Sequence, residues 1–147
     1  MHNNWIAGEW IGSSNSQNNL NPSDLDDVVG EYVRASEADV QDAIAAAHAA
    51  WPSWSLSTPQ QRFDALDQIG SEILARKNEL GELLAREEGK TLPEAIGEVA
   101  RAGQIFKFFA GEALRIVGDI QASVRPGIQV EVTREPIGVV GIITPWN

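Results

Sequence analysis

The sequence contains no cysteine, one methionine and one tyrosine in 147 residues. Without a thiol it holds no disulfide framework, no thiolate metal site and no cysteine nucleophile of its own. Positive charge is scarce as well: 11 Lys and Arg stand against 21 Asp and Glu, a formal net charge of −10. That balance disfavours nucleic acid and anionic membrane surfaces, so neither is expected as a partner. No apolar run reaches the length that crosses a bilayer. The opening Met1-His2-Asn3-Asn4-Trp5 lacks the basic and apolar regions of an export signal. His48 has no second histidine or carboxylate at ligand spacing, so it is read as structural and no metal is expected. There is no GxGxxG loop to cradle a phosphate, and no internal repeat, low-complexity tract or linker. These absences lead to the expectation of a soluble, cytoplasmic protein with the length of one domain.

What the sequence does have is an ordinary apolar fraction, 43%, with five tryptophans, and clear local punctuation. Trp5 and Ile6 face Trp10 and Ile11 across Gly8, which predicts a small hairpin. Residues 13–19 are polar and read as a surface loop, followed by an Asn21-Pro22-Ser23-Asp24 turn and a strand over 28–35. Ser36 and Asp39 form an N-terminal box for a first helix whose stripe is Val40, Ala43, Ile44 and Ala47, with Pro52 as its end. Thr58-Pro59-Gln60-Gln61 opens a second helix with apolar face Phe63, Leu66, Ile69 and Ile73. Asn78 is the expected cap of a third, bearing Leu80, Leu83 and Leu84, and Gly89 suits its left-handed terminus. Pro93 opens a fourth helix reaching about Ile116. It carries Ile96, Val99, Ile105, Phe106, Phe109, Ala113 and Leu114. Residues 129–133 alternate polar and apolar, as a half-exposed strand does.

The last stretch organises the rest. Residues 137–143 are apolar, β-branched or glycine, with no polar face, so they fit a central strand covered on both sides. Pro145 ends it, since a central strand cannot use a residue without an N–H. Trp146 and Asn147 then fall just past the carboxyl end, where open α/β sheets bind ligands. Gly138 and Gly141 sit inside this strand and are read as close-packing positions. Arg134, Glu135, Pro136, Gly138, Pro145, Trp146 and Asn147 together match the REPxGVV…PWN pattern. On these residues the chain resembles the opening part of the NAD(P)-dependent aldehyde dehydrogenase superfamily. The FFAGEALR and SVRPG portions look most like α-ketoglutaric semialdehyde dehydrogenases.

The resemblance implies an α/β fold: a small hairpin, a helical layer, an oligomerisation strand and the first strand of the cofactor-binding sheet. The corresponding divisions are 1–118, 119–134 and 135–147, the last an incomplete dinucleotide-binding sheet. It implies NAD or NADP as cofactor, an aldehyde as substrate, and a homodimer or homotetramer in which 129–133 pairs with another subunit. In such enzymes a cysteine thiolate attacks the aldehyde and a glutamate activates the water that releases the acid; neither residue is in this chain, so the chain alone is expected to be inactive. Asn147 is implied as an oxyanion donor, with Ile143, Thr144, Pro145 and Trp146 as dinucleotide contacts. The alternatives are that Asn147 only caps a strand end and that Ile143 and Trp146 are core. Gly97 and Arg101 lie one turn apart on the fourth helix, which in the family lines the aldehyde tunnel. Arg101 could hold a substrate carboxylate there, or pair with Glu98 or Glu94 at the surface. Glu87 and Glu88 read as a solvated face. A free-standing helical interaction module is the rival to the enzyme reading.

Overall fold

A computed structural model of the chain describes residues 1–145. Its elements run β1 Asn4–Ile6, β2 Glu9–Ile11, β3 Ser16–Asn21, β4 Asp24–Val33, α1 Glu37–Ser55, α2 Pro59–Ala75, α3 Lys77–Glu88, α4 Leu92–Ala113, β5 Asp119–Ala122 and β6 Gln129–Val132. Among the described residues the strands form three separate antiparallel hairpins, β1–β2, β3–β4 and β5–β6.

The first hairpin turns on Ala7 and Gly8, both at positive φ, 54° and 87°. This is the conformation that matches strand twist in a two-residue turn. Trp5 pairs with Trp10 across it, their rings edge-on at 4.8 Å. The loop expected over 13–19 is corrected: most of it is strand β3. Its polar side chains carry no alternation, and pairing comes from elsewhere. The β4 backbone supplies the ladder, Ser16 Oγ donates to Glu31 Oε1 at 2.5 Å and Asn19 Nδ2 donates to Glu87 Oε1 at 2.6 Å. Tertiary partners override strand propensity here. Asn21 Oδ1 accepts from the Ser23 N–H at 2.9 Å and closes the next turn.

Both N-terminal boxes form. The Asp39 N–H donates to Ser36 Oγ at 3.2 Å and the Ser36 N–H to Asp39 Oδ2 at 2.7 Å. Thr58 and Gln61 repeat the arrangement at α2. Pro52 does not end α1, which continues to Ser55. The proline removes a single helix bond, its own, and only one turn follows it, in which the Ser53 and Ser55 hydroxyls donate to the Ala50 and Pro52 carbonyls. Asn78 is not the cap of α3. The helix starts at Lys77 without a side-chain cap, and Arg76 forks onto Glu79 through bonds of 3.0 and 2.7 Å. Gly89 takes the expected left-handed conformation, φ 73°.

The helical core is built from small residues. Gly70 of α2, Gly81 of α3 and Ala95, Val99, Gly103, Ala110 and Ala113 of α4 are buried. A β-carbon on Gly70 would lie 2.9 Å from the Gly103 carbonyl oxygen, and one on Gly103 would lie 2.7 Å from Leu74 Cγ. The α2 and α4 backbones therefore touch. Lys107 Nζ ties the same pair, donating to Asp67 Oδ1 at 2.7 Å and Ser71 Oγ at 2.5 Å. Of the large apolar residues expected on the face of α4, Ile105, Phe109 and Leu114 are exposed.

After α4 comes a ribbon. β5 and β6 pair in the register Asp119↔Val132 to Ala122↔Gln129, and every residue of both is exposed. Arg134 Nε donates to the Val117 carbonyl at 3.2 Å. The central strand expected over 137–143 is corrected: residues 133–145 adopt no regular secondary structure. A sheet strand needs neighbours for its N–H and C=O groups. Among the described residues, each strand has its hairpin partner, and the one further pairing is an isolated parallel bridge from His2 to Tyr32 on β4, far from 137–143 in sequence.

Candidate functional site

Two places carry the residues singled out for chemistry. The first is the carboxyl-terminal stretch. Val139 and Val140 lie against a shallow groove of about 400 Å³ that includes Trp5 and Ile6 of the first hairpin and Val40, Ala43, Ile44 and Ala47 of α1. The stripe of α1 thus faces the apolar tail of the chain, although no α1 residue is buried. Past that groove the chain leaves the body: Ile142 is 78% exposed and Ile143 99%, and Thr144 and Pro145 are exposed too. Trp146 and Asn147, the remaining members of the expected constellation, lie outside the described residues. Among the described residues nothing walls 143–145, which are exposed, so they do not by themselves fit a dinucleotide.

The second place is the outer face of α4. Arg101 is exposed and makes no hydrogen bond or ion pair among the described residues. The space where a Gly97 β-carbon would stand is open, with no atom within 4 Å. The rival surface pairs do not form. Glu94 accepts from Thr91 Oγ1 at 2.7 Å, and this bond with Thr91 holds its carboxyl below the usual range. Glu98 Oε2 lies 2.5 Å from Lys90 Nζ. The groove of α1 includes neither Arg101 nor residues 143–145.

Glu87 and Glu88 are corrected, since neither is a solvated carboxylate. Glu87 accepts from Asn19, and the Glu88 side chain is 5% exposed against the Lys90 ammonium. Both Glu88 oxygens lack a well-aligned donor, so this contact is an ion pair rather than a directed hydrogen bond. Glu88 first, then Glu98, pushes the Lys90 ammonium up from its ordinary value. Sequence reading missed this cluster. The available signal was Gly89, whose left-handed turn folds Lys90 back over the end of α3.

Comparison with known proteins bears on what these places belong to. The model of the Aldehyde dehydrogenase family matches residues 10–147. The chain belongs to the aldehyde dehydrogenase family. It is 38% identical over 146 residues to the α-ketoglutaric semialdehyde dehydrogenase of Bacillus subtilis, covering 98% of this chain and 30% of that protein. It is 37% identical over 144 residues to the succinate semialdehyde dehydrogenase of Acinetobacter baylyi, covering 97% of this chain and again 30% of the relative. The chain therefore spans about 30% of the length of the curated relatives it matches. Among solved structures, succinate-semialdehyde dehydrogenase from Burkholderia pseudomallei superposes with a TM-score of 0.87 at 31% identity, over 94% of this chain and 29% of that one. Betaine aldehyde dehydrogenase from Staphylococcus aureus, solved in complex with NAD+, gives 0.85 at 28% identity, over 92% and 28%. The fold is the N-terminal portion of the aldehyde dehydrogenase architecture, an α/β arrangement. Superposition over so much of the chain means that the hairpins and helices stand as they do in these larger enzymes.

Proposed function

We propose that the polypeptide carrying this chain oxidises an aldehyde to a carboxylic acid with NAD+ or NADP+, and that the aldehyde is the semialdehyde of a dicarboxylic acid such as α-ketoglutaric semialdehyde. The observation that carries the substrate is Arg101: a guanidinium with no partner among the described residues, one turn from an open glycine. Relatives named as semialdehyde dehydrogenases match nearly the whole chain, which supports the same reading. Arg101 would grip the remote carboxylate in a planar fork while the aldehyde end reaches the reacting centre. Asn147 would donate its amide N–H₂ to the oxyanion that develops when a thiol adds to the aldehyde. Residues 143–146 would meet the dinucleotide once further strands flank them.

In this reading 1–118 is the helical part of the cofactor domain, 119–134 the oligomerisation region and 135–147 the first strand of the sheet. The β5–β6 ribbon would join subunits of a homodimer or homotetramer. The proposed location is the cytoplasm. The 147 residues contain no cysteine, so they would not turn over an aldehyde alone.

The test is kinetic, in the longer polypeptide. Arg101→Ala should raise KM about tenfold for an acidic semialdehyde and leave a neutral aldehyde unaffected, as loss of one charge-assisted contact requires. Asn147→Ala should lower kcat by roughly 10²–10³. Failure to oxidise any aldehyde with either nicotinamide cofactor would remove the proposal. Equal effects of Arg101→Ala on both substrates would remove the carboxylate role.

A further inference from the structure

On α4, Glu98 stands three residues before Arg101, and side chains at that spacing are neighbours on a helix surface. Opposite charges so placed ordinarily turn toward each other, and a guanidinium closed onto its own helix is a poor receptor for an external carboxylate. Here all three carboxylates of α4 are engaged elsewhere. Glu94 bonds Thr91, Glu112 contacts Arg115, and Glu98 lies 2.5 Å from Lys90 Nζ. Lys90 comes from the turn before α4, where Gly89 at φ 73° reverses the chain. Its ammonium also meets Glu88, and its side chain is only 18% exposed. It is thus an anchored cation rather than a waving surface lysine.

We infer that Lys90 is a positioning residue for substrate selection: by holding Glu98 away, it keeps Arg101 open to the carboxylate of an acidic aldehyde. The inference rests on the role proposed above for Arg101. It adds that selectivity is set partly by a residue that touches no substrate, through which of two cations takes Glu98.

Two measurements test it. In the chain itself, the Arg101 Nε–H signal is followed by NMR. Lys90→Met should shift this signal and slow its exchange with water, as Glu98 swings onto the guanidinium. Lys90→Met/Glu98→Gln should return it to the wild-type position. An unchanged signal in Lys90→Met overturns the inference. In the longer enzyme, Lys90→Met should raise KM for an acidic semialdehyde about two- to fivefold, the range of a surface ion pair in competition. KM for a neutral aldehyde and kcat should stay unchanged, and Glu98→Gln added to Lys90→Met should restore the acidic KM. A rise shared by both aldehydes, or no restoration, overturns the inference. Since Lys90→Met uncovers Glu88 and can unfold the turn, Glu98→Gln alone provides an independent check. It should leave the acidic KM at the wild-type value, and a several-fold fall overturns the inference, because Glu98 would then already be competing. Arg101→Ala in the same series keeps the two claims apart. If it spares the acidic KM while the NMR shift appears in Lys90→Met, the carboxylate role fails and the hold on Glu98 stands.

Discussion

A β-carbon placed on Gly81 would stand 2.6 Å from Ile96 Cγ1 and 2.9 Å from Ile96 Cα. The second of these is backbone and cannot swing aside, so α3 would have to back away from α4. Gly81→Ala should therefore destabilise the chain by about 1–3 kcal/mol, as overpacking does, despite the better helix propensity of alanine. Gly97→Ala is the contrast. Its added methyl meets nothing within 4 Å, so the change should stabilise α4 by about 0.5–1 kcal/mol. Urea midpoints of the two variants check both signs. The sequence alone does not separate these glycines, because each lies in a helical pattern and the difference is in the neighbouring helix. Arg101 is the converse case. Its place on α4 was legible from spacing, but its lack of an acidic partner depends on Lys90, a residue the helical period does not bring near it.

Elements whose signals are local were read with little loss. The boxes at Ser36 and Thr58, the turn at Gly8 and the left-handed end at Gly89 each depend on a few consecutive residues. Elements held by distant partners were not, as β3 and the link between β4 and α3 illustrate. In that link Arg86 forks onto Asp27, with Nε to Oδ2 at 2.9 Å and Nη2 to Oδ1 at 2.6 Å. The Arg86 bonds, then the Asn21 amide, hold the Asp27 carboxyl at about 2 against an ordinary 3.8. A carboxyl whose pKa is depressed by folding contributes stability above its unfolded value. That contribution is lost as pH falls through the folded one. The Asp27 contribution should therefore be whole above pH 3.8 and vanish as pH drops toward 2. Asp27→Asn should lower the urea midpoint at neutral pH and flatten its decline across that acid window. An unchanged slope would mean that the fork carries no stability.

At the scale of the whole molecule, apolar surface is left over. The buried apolar residues among those described are Val33, Ala95, Val99, Ala110 and Ala113, a small core for a chain of this length. Phe108, Phe109 and most of 137–143 are exposed. The central-strand pattern in 137–143 was legible in composition. Its realisation was not, because a strand is a relation between segments and the flanking segments are not among these residues. The amides of 137–143 should therefore exchange at nearly unprotected rates while those of α2 and α4 are protected, and isothermal titration should detect no binding of NAD+ or NADP+ to the chain. Protection in 137–143 would mean that this segment is already paired, and saturable uptake of either dinucleotide would mean that the chain alone forms a cofactor site. One junction decides how the β3–β4 hairpin stays joined to the α3–α4 pair. A β-carbon on Gly89 would strike Ser23 Oγ at 2.7 Å and Pro22 Cγ at 2.9 Å, so the bend between α3 and α4 rests directly on the tip of the β3–β4 hairpin. A single methyl at that bend would act as a wedge, prising the hairpin off and loosening two ties at one stroke: Asn19 to Glu87 and Asp27 to Arg86.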